Sequence, residues 1–529
     1  MHISDFPDDI LLPVFRGALS APKSQSADIK NGLVLLSVCR RWREAALPIV
    51  YDTVFAKCGT EGINGPENVD IKTTLDLVVD AKCLHRVRKV VIEVYGGVDP
   101  FLALAAVTAK LGEATDEWAG VRRLKLMLCP KEWNHNDCGS PAVGNEDDIE
   151  AVSISLAALM PGLREMSFRN YLQSKVATLL FGRLVGLYAN QLQVLHSNSA
   201  FTTRQDLVFA QLRDVDIGGL VCDTMEYRLP RLDPEAIESF VMTSFTANVM
   251  WSMFCTNADT GYAITFPRLK KLELIFIEQT MTPIARHSVE KPWALQFPAV
   301  KHLSIVCRND ECPSMENAVF PVRLESLTIE AEQGLLRAIA GAKMQVSRSL
   351  TARTFYFAYE SDDDVLAINR IFAEAGNCRS RKLQIESDGG IPFELFTYKG
   401  FTHMNMSGLV GVDDMIEHIR WQPELVSLEV LDLTPGTDRM DFSIPEYAEH
   451  EPVAPLDTQI RNLNIIIRGR SAMLQLETAM VKYLLLRIQT LRYLTAKWIP
   501  REGLQEFIDN YVKWYPHLAS VKLVGQDWY

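Results

Sequence analysis

The chain has 529 residues, a formal charge of -12, 48% apolar and 23% charged residues. That length exceeds what a single core organises, so several domains or a repeat array are expected. The acidic balance argues against a general nucleic-acid-binding surface, which must neutralise phosphates with clustered Lys and Arg. No apolar run of about 18 residues is present, so no membrane-spanning helix is expected. The N-terminus also lacks a basic-then-apolar secretory pattern, and the chain is expected in the cytoplasm, the nucleus or both. Ten cysteines scattered over this length read as buried free thiols rather than a disulfide framework.

The first segment runs Phe6-Pro7-Asp8-Asp9-Ile10-Leu11-Leu12-Pro13-Val14-Phe15. Ile10, Leu11, Val14 and Phe15 share one face of a helix whose start is marked by Asp5 and Pro7. Pro13 removes an amide donor and should kink that helix. After a polar insert at Ser20 to Ile29, a second apolar stripe is formed by Leu35, Val38, Cys39, Trp42 and Ala46, with Arg40, Arg41 and Arg43 on the wet side. Two helices this small bury only a modest share of their surface on each other, so the leftover stripe needs a partner, either another protein or the next domain of this chain.

Phe6-Pro7-Asp8-Asp9-Ile10-Leu11 and Val38-Cys39-Arg40-Arg41-Trp42-Arg43 resemble, in order, the two halves of the F-box, a short helical module covering about a tenth of the chain. The resemblance implies docking on a Skp-type adaptor and, through it, a cullin-based ubiquitin ligase. It assigns adaptor binding to Phe6, Pro7, Ile10, Leu11, Val14, Phe15, Leu35, Val38, Cys39 and Trp42. The F-box is expected over residues 1–56, followed by a linker at 57–70 rich in Gly, Asn and Pro.

From residue 71 to 529 a different pattern takes over, a strand-like phrase of apolar-x-x-apolar-x-apolar between helical or loop stretches. Its clearest copies are Phe266 to Leu274, Phe297 to Ile305 and Phe320 to Ile329, whose first core positions Leu269, Val300 and Leu324 are 31 and 24 residues apart by their numbers. Weaker copies include Val87 to Ile92, Val121 to Leu126, Leu163 to Phe168 and Leu212 to Ile217 upstream, and Lys382 to Ile385, Leu428 to Leu433, Ile460 to Ile465 and Leu518 to Leu523 downstream. Ser471 to Arg487 and Gly503 to Trp514 are amphipathic and long enough for helices, so the unit reads as strand, turn, helix.

The array resembles a degenerate leucine-rich-repeat domain, with the Asn that usually closes the strand phrase present at Asn170 and mostly missing elsewhere. Together the two resemblances are to a fungal-type F-box/leucine-rich-repeat substrate receptor. The implied fold class is α/β: a short all-helical F-box, then an irregular solenoid with a parallel sheet on its concave face. Alternation turns Leu272 and Leu274 inward and places Lys271, Glu273, His302, Ser304, Ser326, Thr328, Asn462 and Asn464 on the open face, as candidates for contact with an unidentified target protein. Long loops are expected at Cys129 to Ile149, Glu278 to Gln296 and Thr434 to Asp457.

Little in the sequence points to chemistry. Cys129, His135, Asp137 and Cys138 are ligand types, but their spacing fits no tight zinc motif. Cys307 and Cys312 read as buried thiols, and Asp362, Asp363 and Asp364 as carboxylates at the positive end of a helix. No phosphate-binding Gly-rich loop with its Lys, no Gly-x-Ser-x-Gly elbow and no His-Glu-x-x-His appears. The expectation is therefore a non-enzyme with no catalytic residue, metal or cofactor, no nucleic-acid or membrane partner, and one of two roles. The first is the target-recognition subunit of an SCF-type ubiquitin ligase. The second is an interaction scaffold whose N-terminal helices cap the repeats.

Overall fold

The computed structural model describes residues 37, 39–59, 69–95, 98–129, 146–171, 175–199, 201, 208–220, 231–244, 264–276, 295–307, 318–319, 321–330, 336, 339–340, 343–356, 363–376, 378–387, 395–434, 453–466, 474–497 and 499–524. They build a mixed α/β protein with mostly parallel strands, and the chain divides into two units, Met1–Arg268 and Leu269–Tyr529.

The first unit opens with α1 (Arg40–Val50), β1 (Thr53–Gly59), β2 (Asp70–Thr73), α2 (Leu75–Asp80), β3 (Lys89–Tyr95), α3 (Pro100–Ala114) and β4 (Arg123–Cys129). It continues with α4 (Glu146–Leu159), β5 (Glu165–Asn170), α5 (Lys175–Leu187), β6 (Val194–Ser199), β7 (Val208–Phe209), β8 (Asp214–Leu220), β9 (Arg231–Leu232), β10 (Ser239–Ser244) and β11 (Ile264–Thr265). Its sheet runs β2-β1-β3-β4-β5-β6-β8-β10, parallel except for the antiparallel β1–β2 pair. The sheet therefore begins at Thr53, and the first residues of the stretch read as a linker, Lys57 to Gly59, complete β1.

Strand alternation decides which side is core. Val54, Val90, Leu124, Met166, Leu195, Val215 and Phe240 lie in one cross-strand row, and all are buried. Helices cover this face where the sequence permits them. In α3, Asp99 is the N-cap, accepting from the amides of Phe101 at 2.7 Å and Leu102 at 3.3 Å, and Pro100 supplies a first-turn residue without an amide to satisfy. Three carboxylates, Glu146, Asp147 and Asp148, open α4, where the helix dipole favours negative charge. On α5, Phe181 stacks on Phe168 of β5 at 4.4 Å and meets Phe201 edge-on at 5.2 Å.

The same strand entry recurs along the chain. The Arg88 carbonyl accepts from the amides of Arg122 and Arg123, the Arg122 carbonyl from Arg164 and Glu165, and the Arg164 carbonyl from Gln193 and Val194, at 2.8 to 3.1 Å. The Arg122 guanidinium also donates to the carbonyls of Ala119 at 2.8 Å and Gly162 at 3.1 Å, tying adjacent turns together. A Cβ on Gly162 would lie 1.7 Å from that guanidinium nitrogen, so a side chain here would displace the Arg122 head from these carbonyls.

The second unit contains β12 (Lys271–Phe276), β13 (Leu295–Gln296), β14 (His302–Cys307), β15 (Ala318–Val319), β16 (Arg323–Glu330), β17 (Gln345–Tyr356), α6 (Asp363–Glu374), β18 (Ser380–Ser387) and β19 (His403–Gly411). It ends with α7 (Val412–Trp421), β20 (Ser427–Thr434), β21 (Asn462–Ile466), α8 (Leu474–Arg487), β22 (Tyr493–Lys497), α9 (Arg501–Tyr511) and β23 (Lys522–Leu523). Its sheet is parallel throughout, in the order β12-β14-β16-β17-β18-β19-β20-β21-β22-β23. One inward row runs through Leu274, Ile305, Ile329, Ala352, Leu383, Met404, Leu428, Leu463 and Leu494, all buried.

Helices α8 and α9 fall on the two amphipathic segments expected. Between 208 and 330 the described connections carry the two-residue strands β7, β9, β11, β13 and β15, with β7 pairing β9 and β13 pairing β15. Phe209, Phe266 and Phe297, in or just after these short strands, are buried. The expected loop from Cys129 to Ile149 also ends early, because α4 starts at Glu146.

Candidate functional site

Of the ten adaptor-binding candidates, Phe6, Pro7, Ile10, Leu11, Val14, Phe15, Leu35 and Val38 lie outside the described residues, or their side chains do. Cys39 and Trp42 are described. Cys39 has extended backbone and caps α1, its Sγ accepting from the Trp42 amide at 3.4 Å. Trp42, Leu47, Ile49, Val50 and Tyr51 pack around the fully buried Ala46, while Arg40 is exposed and pairs with Glu44 at 2.9 Å. The helix is not a free appendage. The Asp52 carbonyl just beyond it accepts from the amides of Arg88 at 2.8 Å and Lys89 at 3.0 Å, at the entry to β3. Burial, with the Cys83 thiol nearby, raises the titration point of the Tyr51 phenol.

The target-contact candidates fall into two cross-strand rows on the less buried side of the second sheet. Lys271, His302 and Ser326 are aligned, as are Glu273, Ser304 and Thr328, while Asn462 and Asn464 lie on β21 of the same sheet. The register expected from alternation is the one observed, with Leu272 and Leu274 buried and Lys271 and Glu273 opposite them. His302 Nδ1 lies 2.8 Å from Ser326 Oγ, and Lys271 pairs with Glu273 at 3.2 Å. Beside them Lys301 bonds Glu325 at 2.9 Å, which holds that carboxyl below the usual carboxylate range.

The register also assembles groups that spacing alone did not reveal. Arg353 on β17 lies 3.2 Å from Glu330 on β16 and bonds Glu386 on β18. Glu429 on β20 accepts from Asn405 Nδ2 on β19 at 3.0 Å and from Asn464 Nδ2 on β21 at 2.9 Å. In the first unit the buried Glu93 pairs with Lys57 at 3.5 Å and accepts from the Tyr95 hydroxyl at 2.9 Å. A search for facing residues on consecutive strand phrases would have found these sets once the phrases were aligned.

Of the ligand types noted in the sequence, Cys129 lies on β4, and His135, Asp137 and Cys138 lie outside the described residues. Cys307 is a buried free thiol on β14, and Cys312 is outside. Asp363 and Asp364 fall in the first turn of α6. Burial pushes the Cys58 thiol up to about 12, with Asp70 adding to the shift, which makes it a poor nucleophile. Among the described residues no group of three or more His, Cys, Asp or Glu is placed to hold a metal ion, and no helix is long and apolar enough to cross a membrane.

The fold and its faces define a mixed α/β protein with a large, mostly parallel sheet and an open polar side. No protein-family model and no curated protein matches the chain.

Proposed function

We propose that the chain is the substrate-recognition subunit of an SCF-type ubiquitin ligase. The N-terminal helices dock on a Skp-type adaptor, and the open face of a leucine-rich-repeat-like solenoid holds the target. The observation that carries the reading is the ordered pair of F-box-like segments, Phe6 to Leu11 and Val38 to Arg43, followed by in-register strand phrases. The chain itself performs no chemistry in this role. Holding a target lysine beside a ubiquitin thioester turns a bimolecular encounter into a local one, which raises its effective concentration.

One observation favours a second reading, that of a non-catalytic scaffold whose N-terminal helices cap the sheet. Tyr51, the C-cap of α1, is half-buried near Cys83, and the Asp52 carbonyl that follows it bonds the entry of β3. The two readings separate on Trp42, whose large indole suits the centre of an interface. Co-expression with the Skp-type adaptor of the same organism should give a complex, and Trp42→Ala should abolish it without lowering the melting temperature of the chain. Failure of the wild type to co-purify with the adaptor, or collapse of the whole chain on Trp42→Ala, sinks the ligase reading and favours the cap.

A further inference from the structure

We propose that Glu429, held between Asn405 and Asn464 on the open face of the second unit, is a socket for an arginine side chain of a partner protein. The inference rests on the reading of that face as a target surface and names the chemistry it takes. One cross-strand row runs through Glu330, Arg353, Gln384, Asn405, Glu429 and Asn464 on consecutive strands β16 to β21.

The row holds two carboxylate clusters in different states. At one end the chain's own Arg353 sits between Glu330 and Glu386. Three strands further on, Glu429 has two neutral amides instead of a cation, one on each carboxylate oxygen. A carboxylate offers roughly four acceptor directions, so about half of its capacity is open. Among the described residues no cation pairs with Glu429, and the two amides are held on it from either side, their own Oδ1 atoms buried beneath the surface. The Glu429 carboxylate thus keeps open acceptor directions and has no countercharge, and the group that complements it is a positively charged donor.

Three further features select a guanidinium carried by a protein. Next along the same strands, on the same face, Leu431 and Ile466 are aligned and half-buried, an apolar strip against which an arginine's methylene stem can lie. The planar fork of arginine can meet a carboxylate edge with two donors and still reach a neighbouring acceptor, as Arg353 reaches two carboxylates with its two terminal nitrogens, whereas an ammonium is a point charge. The site lies on the less buried sheet face, and a cavity of this unit lies elsewhere, at the strand entries near Lys301, Arg323 and Gly376. A free small cation would stay hydrated there, so a macromolecule has to cover the contact, and the carboxylate repels nucleic acid.

The test uses the full-length chain and immobilised nonapeptide pools, randomised except for a central Arg, Lys, citrulline or asymmetric dimethylarginine. The Arg pool should bind about tenfold more tightly than the citrulline pool, and Glu429→Gln should remove that difference while leaving the melting temperature unchanged. Dimethylarginine keeps the charge but blocks the fork, so its pool should also lose affinity. Because that arm needs no protein variant, it stands even if Glu429→Gln misfolds. Equal binding of the four pools, a Lys pool as good as Arg, or an unaffected folded Glu429→Gln protein overturns the socket. Adaptor co-purification on the same preparations is scored separately: its loss removes the ligase reading alone, and pool discrimination without it leaves the arginine socket standing.

Discussion

Within the first unit, β3 to β6 and β8 to β10 solve one packing problem in two ways. Both present a buried apolar row to the same side, from Val90 through Leu195 to Phe240. Between the earlier strands run α3, α4 and α5, which pack against one another, whereas the described part of the later connections holds the short paired strands β7 and β9. The strand face is thus the constant and the backing the variable. Both kinds of connection return the chain to the neighbouring strand, one strand width of about 4.8 Å away.

The comparison breaks first on the backing aromatics. Phe181 on α5 and Phe209 on β7 are both fully buried, so either change to Ala should cost about 3 to 5 kcal/mol in denaturant melts. A cost under about 1 kcal/mol for Phe209→Ala would show that the short strand is decoration and that only the helical backing is core.

A second test moves to the strand phrase itself. Leu272 and Leu303 are cross-strand neighbours and buried, and Ala at either should cost about 2 to 5 kcal/mol. Lys271, one residue away on the open side, should change stability by no more than about 0.5 kcal/mol when replaced by Ala. Equal losses at the two positions would mean that the faces are not distinct.

The smallest expected effect compares two histidines on the open faces of the two units. His196 has its titration point raised, chiefly by its bond to Asp214 at 3.5 Å, while burial and then Lys382 lower that of His403. The signs are opposite. The contribution of His196 is present below pH of about 6.5 and fades as pH rises through its folded value; that of His403 is present above about 6.5 and fades as pH falls through its folded value. Both side chains are partly solvated, so the readout is NMR titration of the imidazoles. Asp214→Asn should lower the His196 midpoint and Lys382→Met should raise that of His403; coincident wild-type midpoints would show the two faces to be electrostatically alike.

Period-two alternation in Leu269 to Leu274 and Phe297 to Ile305 was enough to separate core from open side, because successive strand residues must point to opposite faces. The amphipathic stripes over Ser471 to Arg487 and Gly503 to Trp514 likewise announced α8 and α9 through their period alone. Those features are local, and local sterics decide them. The two-residue strands described between 208 and 330 were not legible, since two residues carry no period and pairing with another short strand defines them. Nor were the clusters around Arg353 and Glu429, whose members come from three strands each: Glu330, Arg353 and Glu386, then Asn405, Glu429 and Asn464. Cross-strand register brings such residues within hydrogen-bond distance, and register is set by the stacking of buried rows along the whole sheet, a property no single segment contains.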